Sequence, residues 1–159
     1  MSNDNSPENF AEQKRAVIVA PAGYGKTELI AQSVAYSGGR QLVLTHTHAG
    51  VDSLRKKFRK YNISSSKYNV ETIHSFALRF AGSYPKTTKL AFEKPEENEE
   101  YRQVISSAIN LFDIKLGKDI LRYSYSGIFV DEYQDCDINQ HQLICKLADV
   151  LPCRIVGVI

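Results

Sequence analysis

Cysteine is scarce in this 159-residue chain: Cys136, Cys145 and Cys153 are its only three, and no two stand in a CxxC spacing. An odd, scattered set supplies neither a disulfide framework nor a zinc site, so the thiols are expected to be reduced and without chemistry. No apolar run approaches the length of a bilayer-crossing helix. Residues 1–12 are polar and acidic, where a targeting segment would be basic and then apolar. No membrane association is expected, and the location should be cytoplasmic. A dominant charge is also missing, since 20 Lys and Arg against 18 Asp and Glu leave a net charge of +2. Bulk electrostatics therefore neither demands nor excludes a nucleic-acid partner. No internal repeat is visible. What remains, 43% apolar and 24% charged residues, is the balance of a globular chain long enough for one domain and too short for two ordinary ones.

The most informative stretch is Ala20-Pro21-Ala22-Gly23-Tyr24-Gly25-Lys26-Thr27, which follows an apolar run, Ala16 to Val19, and opens a helix-like run, Glu28 to Tyr36. A strand, a tight loop and a helix N-terminus in that order turn backbone N–H groups inward, where they and the helix dipole can hold a nucleotide's phosphates. Lys26 would reach the β- and γ-phosphates and Thr27 would offer its hydroxyl to Mg²⁺. Ala22, Gly23, Tyr24, Gly25 and Glu28 complete the expected cradle. A glycine-rich turn with an incidental Lys-Thr pair is the plainer alternative, and the agreement of loop, spacing and flanks favours phosphate binding.

Ser37-Gly38-Gly39 stops the first helix, and Gln41 to Thr45 is an apolar run of strand length, so a parallel βαβ unit is the economical reading. A helix follows over Val51 to Tyr61, with Val51, Leu54 and Phe58 on one face and Arg55, Lys56, Lys57, Arg59 and Lys60 on the other. That basic face could track a phosphate backbone or simply be solvated. His46 and His48 share one side of an extended chain, but no third ligand stands near them for a metal. A third strand, Tyr68 to Thr72, leads into a helical stretch beginning at Ile73. Residues 86–98 read as an exposed insertion, and Glu99 to Phe112 as an amphipathic helix.

Ser126 to Val130 is a short strand with Asp131-Glu132 at its end. In a parallel sheet the carboxyl ends of the strands face one crevice. There Asp131 would hold Mg²⁺ opposite Thr27, and Glu132 would orient or deprotonate the water attacking the γ-phosphate. Helix-capping acids are the alternative.

These stretches resemble, in order along nearly the whole chain, the motifs of the UvrD/Rep/PcrA-like superfamily 1 DNA helicases. Ala20 to Thr27 is similar to motif I, Leu44 to Val51 to motif Ia, Thr72 to Arg79 to the next DNA-contacting motif, and Val130-Asp131-Glu132-Tyr133-Gln134-Asp135 to motif II. The resemblance implies an α/β fold: a RecA-like P-loop NTPase domain over residues 13–159, with helices on both faces of a parallel sheet. It implies a reduced helical insertion at about 83–122 and a flexible leader over 1–12. It implies ATP and Mg²⁺ as cofactors, with Lys26 and Glu132 catalytic and Gln134 coupling the nucleotide to DNA. Thr45, His46, Thr47 and His74 would line a single-strand path, which suits stacking and hydroxyl contacts that read no sequence.

The chain departs from the family at several positions. His46 and His48-Ala49 replace the usual Phe and Asn-Lys, and Glu28 replaces the Arg that commonly follows the P-loop Thr. Val158 stands where motif III has an acid, and the sequence stops at Ile159, before the second RecA-like domain and its arginine fingers. The expectation is the ATP-binding N-terminal part of a UvrD-like helicase, as a truncation or fragment. Hydrolysis-driven translocation would belong to the full-length relative, and a partner would supply the second motor domain. Without an arginine finger, phosphoryl transfer loses on the order of 10³ to 10⁵ in rate, so this chain alone is not expected to unwind DNA. Two rivals are a nucleotide-gated module that binds single-stranded DNA or a protein, and a non-functional truncated remnant. A small-molecule kinase or GTPase is disfavoured by Tyr133-Gln134-Asp135.

Overall fold

Apolar runs that alternate with helical periods oblige each strand to hand the chain to a helix before the next can pair in parallel. A computed structural model, which describes residues 5–159, has five strands: β1 (Arg15–Ala20), β2 (Gln41–Thr45), β3 (Tyr68–Thr72), β4 (Gly127–Val130) and β5 (Cys153–Val158). All pair in parallel, in the order β1-β5-β4-β2-β3. The helices are α1 (Pro7–Glu12), α2 (Lys26–Tyr36), α3 (His48–Lys60), α4 (Ile73–Ser83), α5 (Pro85–Thr88), α6 (Asn98–Asp113), α7 (Lys115–Ser124) and α8 (Ile138–Val150). This is an α/β domain of RecA-like type. Among the described residues no helix is long and apolar enough to cross a membrane.

Every residue of β2 and β4 is buried, because these strands lie inside the sheet and are covered on both sides. Leu42 and Leu44 face one core, built with Phe76, Phe80 and Phe112 of α4 and α6, while Val43 between them faces the other, built with Ile30, Val34 and Phe58 of α2 and α3. Burial on both faces leaves loops only at the strand ends, so the functional side chains gather along the carboxyl edge. The expected helical insertion is joined to this core: Val104, Ile105, Ala108 and Leu111 of α6 are all buried among the residues of α4 and α8.

The leader expectation needs correction. Residues 1–4 lie outside those described, but Pro7–Glu12 is helical, with the Ser6 hydroxyl accepting from Asn9 N and Pro7 in the first turn, where its missing N–H costs nothing. Phe10 is 3% exposed and packs on Phe129 with ring centroids 5.8 Å apart. One apolar residue on a polar stretch is enough to dock it when a partner ring waits on the sheet.

Candidate functional site

The loop between β1 and α2 takes its shape from two glycines, Gly23 at φ +84° and Gly25 at φ +73°. Gly25 caps α2 in the left-handed conformation, which residues with a Cβ adopt at a cost. Lys26 is buried, and its ammonium donates to Pro21 O at 2.7 Å and Ala20 O at 3.3 Å, which holds it over the loop. Ala22, Gly23, Gly25, Lys26, Thr27 and Glu28 line a cavity of about 280 Å³. Tyr24 is 75% exposed and does not line it.

The acid pair reaches the loop from β4. Two strand spacings of about 4.8 Å separate β1 from β4, with β5 between them, and the Thr27 hydroxyl crosses that gap to donate to Asp131 Oδ2 at 3.1 Å. Glu132 stands beside it in the left-handed region at φ +54° with its N–H on Asp131 Oδ1, and it also lines the cavity. A non-glycine residue held there stores strain of about 1–3 kcal/mol, which clusters at working sites. A buried carboxylate and a hydroxyl are hard oxygen donors, the kind Mg²⁺ takes.

Burial raises the Asp131 carboxyl above the usual carboxylate range, against the Thr27 hydrogen bond that lowers it. As pH rises through that range the unfolded chain gives up this proton before the folded one does, so Asp131 costs stability at neutral pH. Asp131→Asn is therefore expected to melt higher than wild type at pH 7 without Mg²⁺, and to lose its advantage below the carboxylate range, where both side chains are neutral. Thermal melts across pH check this, and an equal advantage at every pH would overturn it.

Glu28 does not face the nucleotide cavity alone. Its carboxylate accepts from Lys60 Nζ at 2.8 Å and from the Tyr61 hydroxyl, and Lys57 Nζ lies 3.7 Å away. The Lys60 hydrogen bond, followed by that of Tyr61, holds it down to about 2. The basic face of α3 is thus turned in part toward α2, and Lys57 and Ser53 line the same cavity as the glycine loop, which the sequence reading missed. The signal was present: Lys57, Lys60 and Tyr61 recur at helical spacing, opposite the one acid of the P-loop helix's first turn.

Beside this cavity, at the ends of β2 and β3, lies a groove lined by His46, His48, Thr72, His74 and Ser75, with a volume of about 330 Å³. The Thr47 hydroxyl accepts from Gly50 N and the Thr72 hydroxyl from Ser75 N, so α3 starts at His48 and α4 at Ile73, and both helix N-termini border the groove. The positive ends of these helices favour an anionic occupant. Burial lowers the ring pKa values of His46 and His74, so both imidazoles stay neutral at neutral pH. The Cys136 thiol, pushed up to about 12 by burial, remains protonated and donates to His46 Nε2 at 3.4 Å. Among the described residues no group of three or more His, Cys, Asp and Glu could hold a metal ion.

One expected strand contact is set apart. Thr45 is 1% exposed, as the last residue of a strand covered on both faces, and lines neither cavity. Thr47 serves as the α3 cap. Gln134 lies between the sites: its Nε2 donates to Glu132 Oε2 at 2.5 Å and its Oε1 accepts from Val158 N at 2.9 Å. The following residues run to the groove, where Gln140 Nε2 is 3.4 Å from His74 Nδ1.

The family model of the UvrD/REP helicase N-terminal domain matches residues 2–120. No curated protein matches the chain. UvrD-like helicases in general use a nucleotide with Mg²⁺ and bind single-stranded DNA.

Proposed function

The chain belongs to the UvrD/REP helicase N-terminal domain family, and from that premise we propose that it is the ATP-binding part of a UvrD-like DNA motor, formed by residues 13–159 with α1 docked on it. The observation that carries the reading is the Thr27–Asp131 contact, which joins residues 104 apart in sequence across the expected metal position. In this reading Lys26 binds the β- and γ-phosphates, and Thr27 and Asp131 hold Mg²⁺. Mg²⁺ supplies charge neutralisation between the phosphates when bound. Glu132 orients the attacking water, its backbone already bent toward the cavity. Gln134 is the coupling residue, since it touches Glu132, Val158 and the start of the segment that ends at the groove. His46, Thr47 and His74 border the path of single-stranded DNA.

A second reading has its own observation: Lys26 and Lys57 are the only cations among the residues lining the phosphate cavity, and no arginine is there. A chain with that site binds Mg·ATP and gates its DNA affinity without appreciable turnover, until a second motor domain supplies the missing cation. Equilibrium binding of a labelled oligo-dT with and without Mg·ATP, beside steady-state hydrolysis, separates the two. Nucleotide-dependent DNA binding with turnover supports the motor part, and the same binding without turnover supports the gate. Oligo-dT affinity that ignores nucleotide would overturn both.

A further inference from the structure

The groove does not end at His74. Tyr101 of α6 lines it together with Lys94, and also lines an adjoining concavity of about 240 Å³ that contains Asn98, Arg102 and Asn139. His74 and Tyr101 line both, so the two concavities adjoin at that ring pair. The Tyr101 ring meets the His74 ring edge-on, with centroids 5.2 Å apart and planes at 90°. That contact leaves part of the ring free, and 37% of the residue is exposed. A T-shaped pair of this kind also fixes the orientation of the tyrosine.

We propose that Tyr101 is a stacking platform for one base of single-stranded DNA in this groove, with Arg102 holding an adjoining phosphate; the proposal rests on the strand path proposed above. The charges agree with an anionic backbone. No carboxylate lines the first half, and Lys94 supplies its positive charge. In the second half the one carboxylate, Asp137, is engaged at the N-terminus of α8, where its Oδ1 accepts from Gln140 N at 2.8 Å. Arg102 pairs only loosely with Glu99, at 3.6 Å with both side chains 66% exposed, a contact of the kind that contributes little and is readily exchanged for a phosphate. Aromatic stacking suits a motor's track because every base has a π-face and none is read.

The test is fluorescence anisotropy of labelled oligo-dT with the full chain, wild type beside Tyr101→Ala, Tyr101→Phe and Arg102→Gln, with a matched oligonucleotide of abasic sites. Removing the ring is expected to weaken oligo-dT binding about five- to a hundredfold, while phenylalanine retains it. Wild type should discriminate against the abasic strand and Tyr101→Ala should not, because the same stacking is lost from either side; a merely structural role would leave that discrimination intact. Arg102→Gln should reduce the salt dependence of binding by about one phosphate contact. Mg·ATP binding, measured in each variant, controls for folding. If Tyr101→Ala binds oligo-dT as wild type does, or still discriminates against abasic sites, the platform is wrong while the strand path stands. If wild type binds Mg·ATP but no oligonucleotide, the strand path itself is wrong and the platform falls with it.

Discussion

Lys26→Ala is expected to weaken Mg·ATP binding on the order of a hundredfold, about 3 kcal/mol, while the melting temperature moves by no more than a few degrees. The magnitude follows from removing a charge-assisted contact to phosphate. The small effect on the fold follows from the ammonium's partners, the Ala20 and Pro21 carbonyls at the carboxyl end of an edge strand, which water can reach once the side chain is gone. Lys26→Arg should not restore binding, because a planar fork does not replace a compact ammonium inside a loop this tight. Titration with a fluorescent ATP analogue measures the effect. Wild-type affinity in Lys26→Ala would remove the nucleotide reading altogether.

Phe10→Ala is expected to destabilise the chain by about 3–5 kcal/mol, the usual cost of deleting a buried phenylalanine. In a domain of this length that corresponds to a fall in melting temperature of roughly 10 °C or more. The ring is 3% exposed and belongs to the core that also contains Ile30, Val34 and Phe129. Because α1 packs on α2, the helix that opens at the phosphate loop, the loss should also loosen that loop, and Phe10→Leu should recover most of both. Thermal and urea melts decide the matter: an unchanged midpoint in Phe10→Ala would mean that α1 is dispensable to the fold.

The two cavities share one backbone segment. Asp131 and Glu132 stand at the nucleotide cavity, Cys136 touches His46, and Gln140 approaches His74, all within ten residues. In the proposed reading a change at bound phosphates has a short covalent route to the groove, with Gln134 in its middle. Its hydrogen bond to Val158 N ties that route to β5 as well. An energetic link along it is expected to change nucleotide affinity and DNA affinity by the same factor, each measured with and without the other ligand.

What the sequence alone determined is local. The tight loop between β1 and α2, its glycines, Lys26-Thr27 and the acid pair at the end of β4 were legible as local structure because each depends on a few consecutive residues and on rules of backbone geometry: positive φ at Gly25, a strand before it, a helix after. The first four strands and the helices after the first, second and third of them were legible for the same reason, since period and punctuation are properties of neighbours, whereas α8 (Ile138–Val150) was not foreseen.

Only the tertiary structure decided the rest. The pairing of Glu28 with Lys57, Lys60 and Tyr61, 29 to 33 residues away, turned a helix face that could have tracked DNA toward the nucleotide cavity. Thr45 was withdrawn from the groove because β2 proved to be covered on both faces, and Phe10 was drawn in because Phe129 offered it a ring. Tyr101 came to lie against His74 because α6 packs between α4 and α8. Period placed Lys57, Lys60 and Tyr61 on one helix face but did not say what that face would meet, and for Thr45, Phe10 and Tyr101 neither period nor motif gave a signal. Which side chains meet depends on how helices settle on the two faces of the sheet, and that is settled by the packing of the whole core.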